Sequence, residues 1–280
     1  MRYWIGFFGV VITVLSLLLS CGPGRIEDET VTGCVPGDIQ VDVDSRTMDI
    51  YWRPNCGRLI SGYNIYISDV PLVDEYPGGS LPKSVMPFNP APYSGDTDPD
   101  DEYEHFIAEG LENGRKYYVS VRTVSPDRTL SKPSDEVVAV CGPTGEIELS
   151  VRYKSDRDGY SFDRNEYVRA DDVDNDLYFF SSNGDDYLNS PVKLNGFLKR
   201  NRLQKLPWQG SFEQIRSRVT SITPAPGQER VAVSIGDWIL LQTPDGSTAL
   251  IEVLDIDGAD VERTIRLFCA YRSLPGEMIF

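Results

Sequence analysis

From residue 39 onward the chain is written in short runs where apolar and polar residues alternate, each ended by turn formers, and no stretch sustains a long helical pattern. Ile39-Gln40-Val41-Asp42-Val43 is one such run, and Met48-Asp49-Ile50-Tyr51-Trp52 sets Met48, Ile50 and Trp52 on one face of the next. Tyr63 to Ile67, Phe106 to Ala108, Tyr117 to Val124 and Val137 to Val140 follow. A period of two sends successive side chains to opposite faces, so each run can bury one face and wet the other. Many such strands separated by turns predict an antiparallel sandwich.

Several residues of this first half resemble the fibronectin type III module. Trp52 ends the second strand, Gly62-Tyr63-Asn64-Ile65-Tyr66 opens the third, and Leu111 stands six residues before Tyr117. Gly110 to Val119 looks like that family's tyrosine corner, and Ser131-Lys132-Pro133-Ser134 resembles its approach to the last strand. The resemblance implies a sandwich over residues 34–142 whose Tyr117 phenol bonds back to the preceding loop. Such modules act mostly as spacers or binding surfaces, and the fold by itself implies no chemistry. One departure stands out. Pro71 to Glu104 forms a long connection rich in Pro, Gly and acid, of a length that is commonly functional or disordered. Within it Asp96-Thr97-Asp98-Pro99-Asp100-Asp101-Glu102 has the oxygen density of a calcium loop, but lacks the glycine turn and distant glutamate of an EF-hand, so no metal is assigned.

Upstream, Met1-Arg2 precedes an apolar run from Tyr3 to Leu19, which reads as a signal peptide over residues 1–20. Leu18-Leu19-Ser20-Cys21 resembles the bacterial lipobox, which implies cleavage before Cys21 and lipid on that cysteine. Acyl chains contribute roughly 0.8 kcal/mol per buried methylene, so the membrane becomes a partner through the N-terminus. The acidic, breaker-rich stretch that follows makes residues 21–33 a tether. Gly22 is not the aspartate of the enterobacterial inner-membrane retention signal, so an outer-membrane lipoprotein is expected, with the facing side open.

Charge narrows the partners. Against 27 basic residues stand 43 acidic ones, a net charge of −16, and a surface this acidic repels nucleic acid. Besides Cys21 there are Cys34, Cys56, Cys141 and Cys269, an even number that favours disulfides in an exported protein. Three pairings are possible in principle. In an antiparallel first hairpin the start of one strand lies beside the end of the next, which brings Cys34 to Cys56. Cys141–Cys269 would then join the module's exit to the last strand, with free buried thiols as the competing outcome. Each bridge should stabilise by about 3–5 kcal/mol.

Gly142-Pro143-Thr144-Gly145 is a breaker cluster and separates a second, mostly-β domain over residues 146–280. Strands are expected at Glu146 to Tyr153, Tyr178 to Phe180, Arg230 to Val233, Trp238 to Gln242, Thr248 to Val253 and Ile265 to Tyr271, with Pro244-Asp245-Gly246 turning a hairpin. Phe212, Ile215 and Val219 fall at helical spacing, which predicts a helix around Ser211 to Ser221.

Between Ser155 and Trp208 lie the candidate functional residues. Asp171-Asp172-Val173-Asp174-Asn175-Asp176 clusters carboxylates, as a glycosidase or a calcium loop would, though acidic clusters at strand entries are usually solvated turns. Lys199 to Lys205 is a basic stretch that either docks an acidic partner or lines a strand edge. Trp208, Tyr178 and Tyr187 could form an aromatic platform for sugar or belong to a core. No nucleophile elbow, glycine-rich phosphate loop or Cys-x-x-Cys spacing occurs, and the single His105 has no evident triad partner, so no cofactor is expected. The expectation is a lipid-anchored, non-enzymatic binding or scaffolding protein of the cell envelope with a protein or glycan partner. A glycan-binding subunit of a nutrient-capture complex, or a carboxylate-based glycoside hydrolase, are the alternatives.

Overall fold

A computed structural model of the chain describes residues 34–56, 59–77, 79–96, 102–220 and 227–280. The expected signal peptide over residues 1–20, Cys21, the expected tether over residues 21–33 and residues 97–101 of the acidic loop lie outside the described residues. The fold is mainly β, with four antiparallel sheets arranged around two separate cores.

In the first domain β1 (Gly37–Asp44), β2 (Thr47–Arg53), β3 (Gly62–Ser68), β4 (Glu104–Glu109), β5 (Lys116–Val124) and β6 (Val137–Val140) divide into two three-stranded sheets. Their orders are β1-β2-β4 and β3-β5-β6. The alternation decides the packing. Met48, Ile50 and Trp52 of β2 face Ile65, Val119 and Val121 of the other sheet, all fully buried. Trp52 meets Tyr63 edge-on at 5.1 Å between ring centres, the geometry that aromatic quadrupoles favour. The Tyr117 phenol accepts a hydrogen bond from the Glu112 backbone N–H at 2.9 Å, tying the strand to the preceding loop.

The long connection after β3 does structural work in its described part. Its residues 88–93 run along the outer edge of β3. Tyr63 and Tyr93 exchange backbone hydrogen bonds at 2.7 and 2.8 Å, and Phe88 N–H donates to Ile65 at 2.7 Å. Asn89 completes the seam, accepting from Ile65 N–H at 2.8 Å and donating to the Tyr63 carbonyl at 2.9 Å. An edge strand that would otherwise invite pairing is thereby closed. Gly62 makes the approach possible: at φ +132° a Cβ there would sit 2.3 Å from the Tyr93 carbonyl oxygen.

The second domain contains β7 (Thr144–Ser150), β8 (Gly159–Ser161), β9 (Glu166–Val168), β10 (Leu177–Ser182), β11 (Asp185–Asn189), β12 (Arg202–Lys205), β13 (Arg230–Ala232), β14 (Trp238–Gln242), β15 (Thr248–Asp257) and β16 (Thr264–Arg272). These form two five-stranded sheets, β13-β11-β10-β8-β9 and β12-β14-β15-β16-β7. Leu177, Phe179 and Leu188 of the first sheet pack on Ile239, Leu241, Ile251 and Leu267 of the second.

The second sheet is apolar on its outer face too. There Trp238, Leu240, Leu250 and Ala270 are covered by a helix (Phe212–Val219), by Trp208 and by the C-terminal Met278 and Phe280. Ile215 and Val219, the helix residues expected to face inward, are fully buried. Gln214 accepts from the Ser211 backbone N–H at 3.3 Å, the return half of a capping box.

The domains meet at the breaker cluster. The Arg272 guanidinium is buried there and donates to the carbonyls of Gly142 at 3.0 Å and Tyr271 at 2.7 Å and to the Thr144 hydroxyl at 3.0 Å. Desolvation lowers its pKa to about 10. Asp44 of β1 reaches across to accept from Thr144 N–H at 3.1 Å.

Cys34 and Cys56 form a disulfide with Cα atoms 4.5 Å apart, closing the first hairpin. The expected Cys141–Cys269 bridge is a correction: both are buried free thiols. The reason is directional. Cys141 points into the first core, 3.6 Å from the Thr47 carbonyl, whereas the alternation of β16 turns Cys269 into the second core. Burial pushes the Cys141 thiol up to about 11, with Arg272 opposing, and raises Cys269 as well.

Candidate functional site: an aromatic face under two arginines

The outer face of the first sheet in the second domain carries no covering helix among the described residues. Alternation along β10 sends Leu177 and Phe179 inward and Tyr178 and Phe180 outward. Register then places Tyr187 of β11 opposite Phe180 and Ala232 of β13 beside Tyr187. In the next row Arg230 lies opposite Asn189, which lies opposite Tyr178. On the far side of β10, Val151 bridges to Phe179 and enters the core, so Arg152 emerges on the aromatic face, its N–H donating to Phe179 at 3.0 Å.

Two guanidiniums cover these rings. Arg152 lies 4.1 Å from the Tyr153 ring centre, 5.7 Å from Phe180 and 6.0 Å from Tyr178. Arg230 lies 4.9 Å from Tyr187 and 5.2 Å from the same Phe180. A cation over an aromatic face is held by the ring quadrupole, worth about 0.5–1 kcal/mol when exposed and more when desolvated. Hydrogen bonds fix both. Arg230 Nε donates to the buried Asn189 amide oxygen at 2.6 Å, and Arg152 Nη2 donates to the Tyr153 phenol at 2.6 Å. Arg152 Nε is buried without a partner. Neither arginine forms an ion pair with a carboxylate among the described residues, whereas Arg164, Arg169, Arg200, Arg202, Arg263 and Arg266 of the same domain all do. Burial raises the Tyr178 phenol, with Arg152 opposing.

A groove of about 440 Å³ continues from this face. Arg152 and Phe180 form one end, the β10–β11 turn supplies Ser182, Asn183 and Gly184, and Ala259, Asp260 and Val261 form the far wall. Its floor is held by Arg263, which grips Asp186 through Nε at 2.7 Å and Nη2 at 2.6 Å. Desolvation pushes the Asp186 carboxyl up, but the bonds from Arg263 and Ser181 outweigh it and hold it below the usual range.

The sequence candidates are dispersed. Tyr178 and Tyr187 share the face, but Tyr178 is fully buried beneath the guanidinium layer, and Trp208 packs with the helix over the outer face of the other sheet. No three-ring platform therefore exists. The acidic cluster is a pinned turn: Asp171 pairs with Arg169 at 3.0 Å, Asp174 with Arg164 at 3.0 Å, and Asp172 accepts from Asp174 N–H at 2.8 Å. Asp176 is buried, accepting from Phe162 N–H at 2.8 Å and Lys199 Nζ at 2.9 Å. Its desolvation outweighs Lys199 and raises its pKa. Among the described residues, no group of three or more His, Cys, Asp or Glu side chains is placed to hold a metal.

The basic stretch stays within its own domain: Arg200 reaches Glu229 at 3.2 Å, and Lys205, on the edge strand β12, reaches Asp237 at 2.5 Å. His105 stacks on Tyr51 at 4.5 Å in the first domain. Arg152, Phe180 and Arg230 were not singled out in the sequence. The signal that would have found them is alternation through Phe180 combined with Asn183-Gly184, whose positive φ values of 55° and 86° turn the β10–β11 hairpin.

No family model matches this chain, and no curated protein matches it. A solved structure, "Twitchin kinase region from C.elegans (Fn31-NL-kin-CRD-Ig26)", is similar at 12% identity and a TM-score of 0.28, over 84% of this chain and 39% of that one. This chain spans well under half the length of that structure, and at such a score the likeness bears on neither fold nor function.

Proposed function

We propose that this chain is a non-enzymatic binding protein of the cell envelope, anchored by lipid on Cys21, in which a fibronectin type III-like module spaces a recognition domain from the outer membrane. The module reading is supported by the paired three-stranded sheets and the Tyr117 hydrogen bond. The anchor reading rests on the Leu18-Leu19-Ser20-Cys21 pattern. Recognition is assigned to the face under Arg152 and Arg230. The observation that carries it is two ordered cations without carboxylate partners in a chain of net charge −16. Rings and hydrogen bonds already hold the guanidiniums, so a ligand meets donors whose ordering cost is small.

Two experiments test this. Envelope material is captured by the wild-type protein and by the Arg152→Gln/Arg230→Gln variant, with glycan arrays in parallel. The proposal expects a component bound by the first and lost by the second; equal capture moves recognition elsewhere. Separately, Cys21→Ser should shift the protein from the membrane fraction to the soluble fraction. Retention in the membrane overturns the anchor.

A further inference from the structure

We infer that the arginine-covered face binds a saccharide carrying a carboxylate at one end and neutral hydroxyls along the rest. The inference rests on the recognition surface proposed above and names its ligand. Arg152 and Arg230 both lie over the Phe180 ring, at 5.7 and 5.2 Å. Two like charges sharing one ring repel, and an anion between them converts that repulsion into two charge-assisted contacts. A planar carboxylate matches the guanidinium fork, and each guanidinium has further N–H groups beyond the one given to Tyr153 or Asn189.

The groove argues for the remainder of the ligand. Next to Arg152 it is lined by the exposed polar side chains of Ser182 and Asn183, with Ala259 and Val261 opposite. That mixture suits the hydroxyls and C–H faces of a sugar. Asp260 at the far wall, with the acidic character of the whole molecule, disfavours further negative charge there. A densely charged polyanion is thereby excluded. The ligand is a mono-acidic saccharide, its carboxylate between the arginines and its neutral part running toward the β10–β11 turn.

The test is calorimetric titration of the full-length protein in neutral detergent with a glucuronic acid-terminated disaccharide, its neutral glucose counterpart and a glutamate-containing peptide of similar length. The acidic disaccharide should bind at least about 10-fold more tightly than the neutral one, the scale set by hydrogen bonds to a charged group. Arg230→Gln, which also removes the bond to buried Asn189 and so lowers the thermal midpoint, should weaken binding by about 10-fold at a temperature where the variant is still folded, and added salt should weaken it further. Equal binding of the neutral sugar, tighter binding of the peptide, or no saccharide binding each overturns the inference. If saccharides fail while the arginine variant still loses its envelope component, the surface stands and only its ligand falls. If that capture is also unchanged, both fall together.

Discussion

The second domain has two outer sheet faces, both aromatic, and they are finished in different ways. On one, Trp238 and Phe268 lie under the helix, Trp208 and the C-terminal Phe280. On the other, Tyr178, Phe180 and Tyr187 lie under two arginine side chains. Chain laid over an aromatic face makes a core, because packing on both sides excludes water permanently. A guanidinium layer shields the rings while leaving N–H donors at the surface. The difference separates a face devoted to stability from one available for recognition.

The largest test of that contrast is truncation on each face. Trp238→Ala should cost about 3–5 kcal/mol in urea unfolding, as deleting a buried aromatic does. Phe180→Ala, on the half-buried face, should cost about 1–2 kcal/mol, in proportion to its smaller buried area. Equal losses would make the arginine-covered face a core and remove the distinction. A smaller effect sharpens the covered side: Gln214→Ala, which removes the acceptor of the Ser211 N–H, should cost about 0.5–1 kcal/mol by loosening the helix start, with thermal unfolding as the measurement. No change would show that packing alone holds the helix in place.

The smallest effect compares Asp186, beneath the open groove, with the sealed Asp176. The Asp186 pKa lies below its unfolded value, so its stabilisation is present above the unfolded carboxylate range and is lost as pH falls through the lowered value. The Asp176 pKa is raised, so its contribution is fullest at low pH and declines as pH rises from the unfolded value to the raised one. Asp186→Asn should therefore flatten the acid limb of stability against pH, and Asp176→Asn should steepen it. Slopes changing in the same direction for both variants would contradict the opposite causes assigned to them.

Much of the fold was legible in advance because burial of one face imposes a period that side chains announce. The six strand runs of the first domain, the turn at Pro244-Asp245-Gly246 and the helix spacing at Phe212, Ile215 and Val219 all appear in the structure. The strands β8, β9 and β11 were not anticipated, and β12 only as the strand edge weighed for Lys199 to Lys205. They are three to five residues long, and Asp185-Asp186-Tyr187-Leu188-Asn189 and Arg202-Leu203-Gln204-Lys205 carry charge where strands usually do not. Their partners decide them: β11 is held between β10 and β13, and β12 against β14.

The sequence by itself determined the mainly β class, the cysteine pair closing the first hairpin and the acidic character, since these follow from period, local chain geometry and composition. Only the tertiary structure decided which charges find partners. The carboxylates of 171–176 and the cations of 199–205 stand out in the sequence, yet the fold pairs their members locally, while Arg152 and Arg230, 78 positions apart in the numbering, meet over one phenylalanine. Such a meeting depends on strand order and register, which set the neighbours of a side chain across a sheet and leave no trace in its neighbours along the chain.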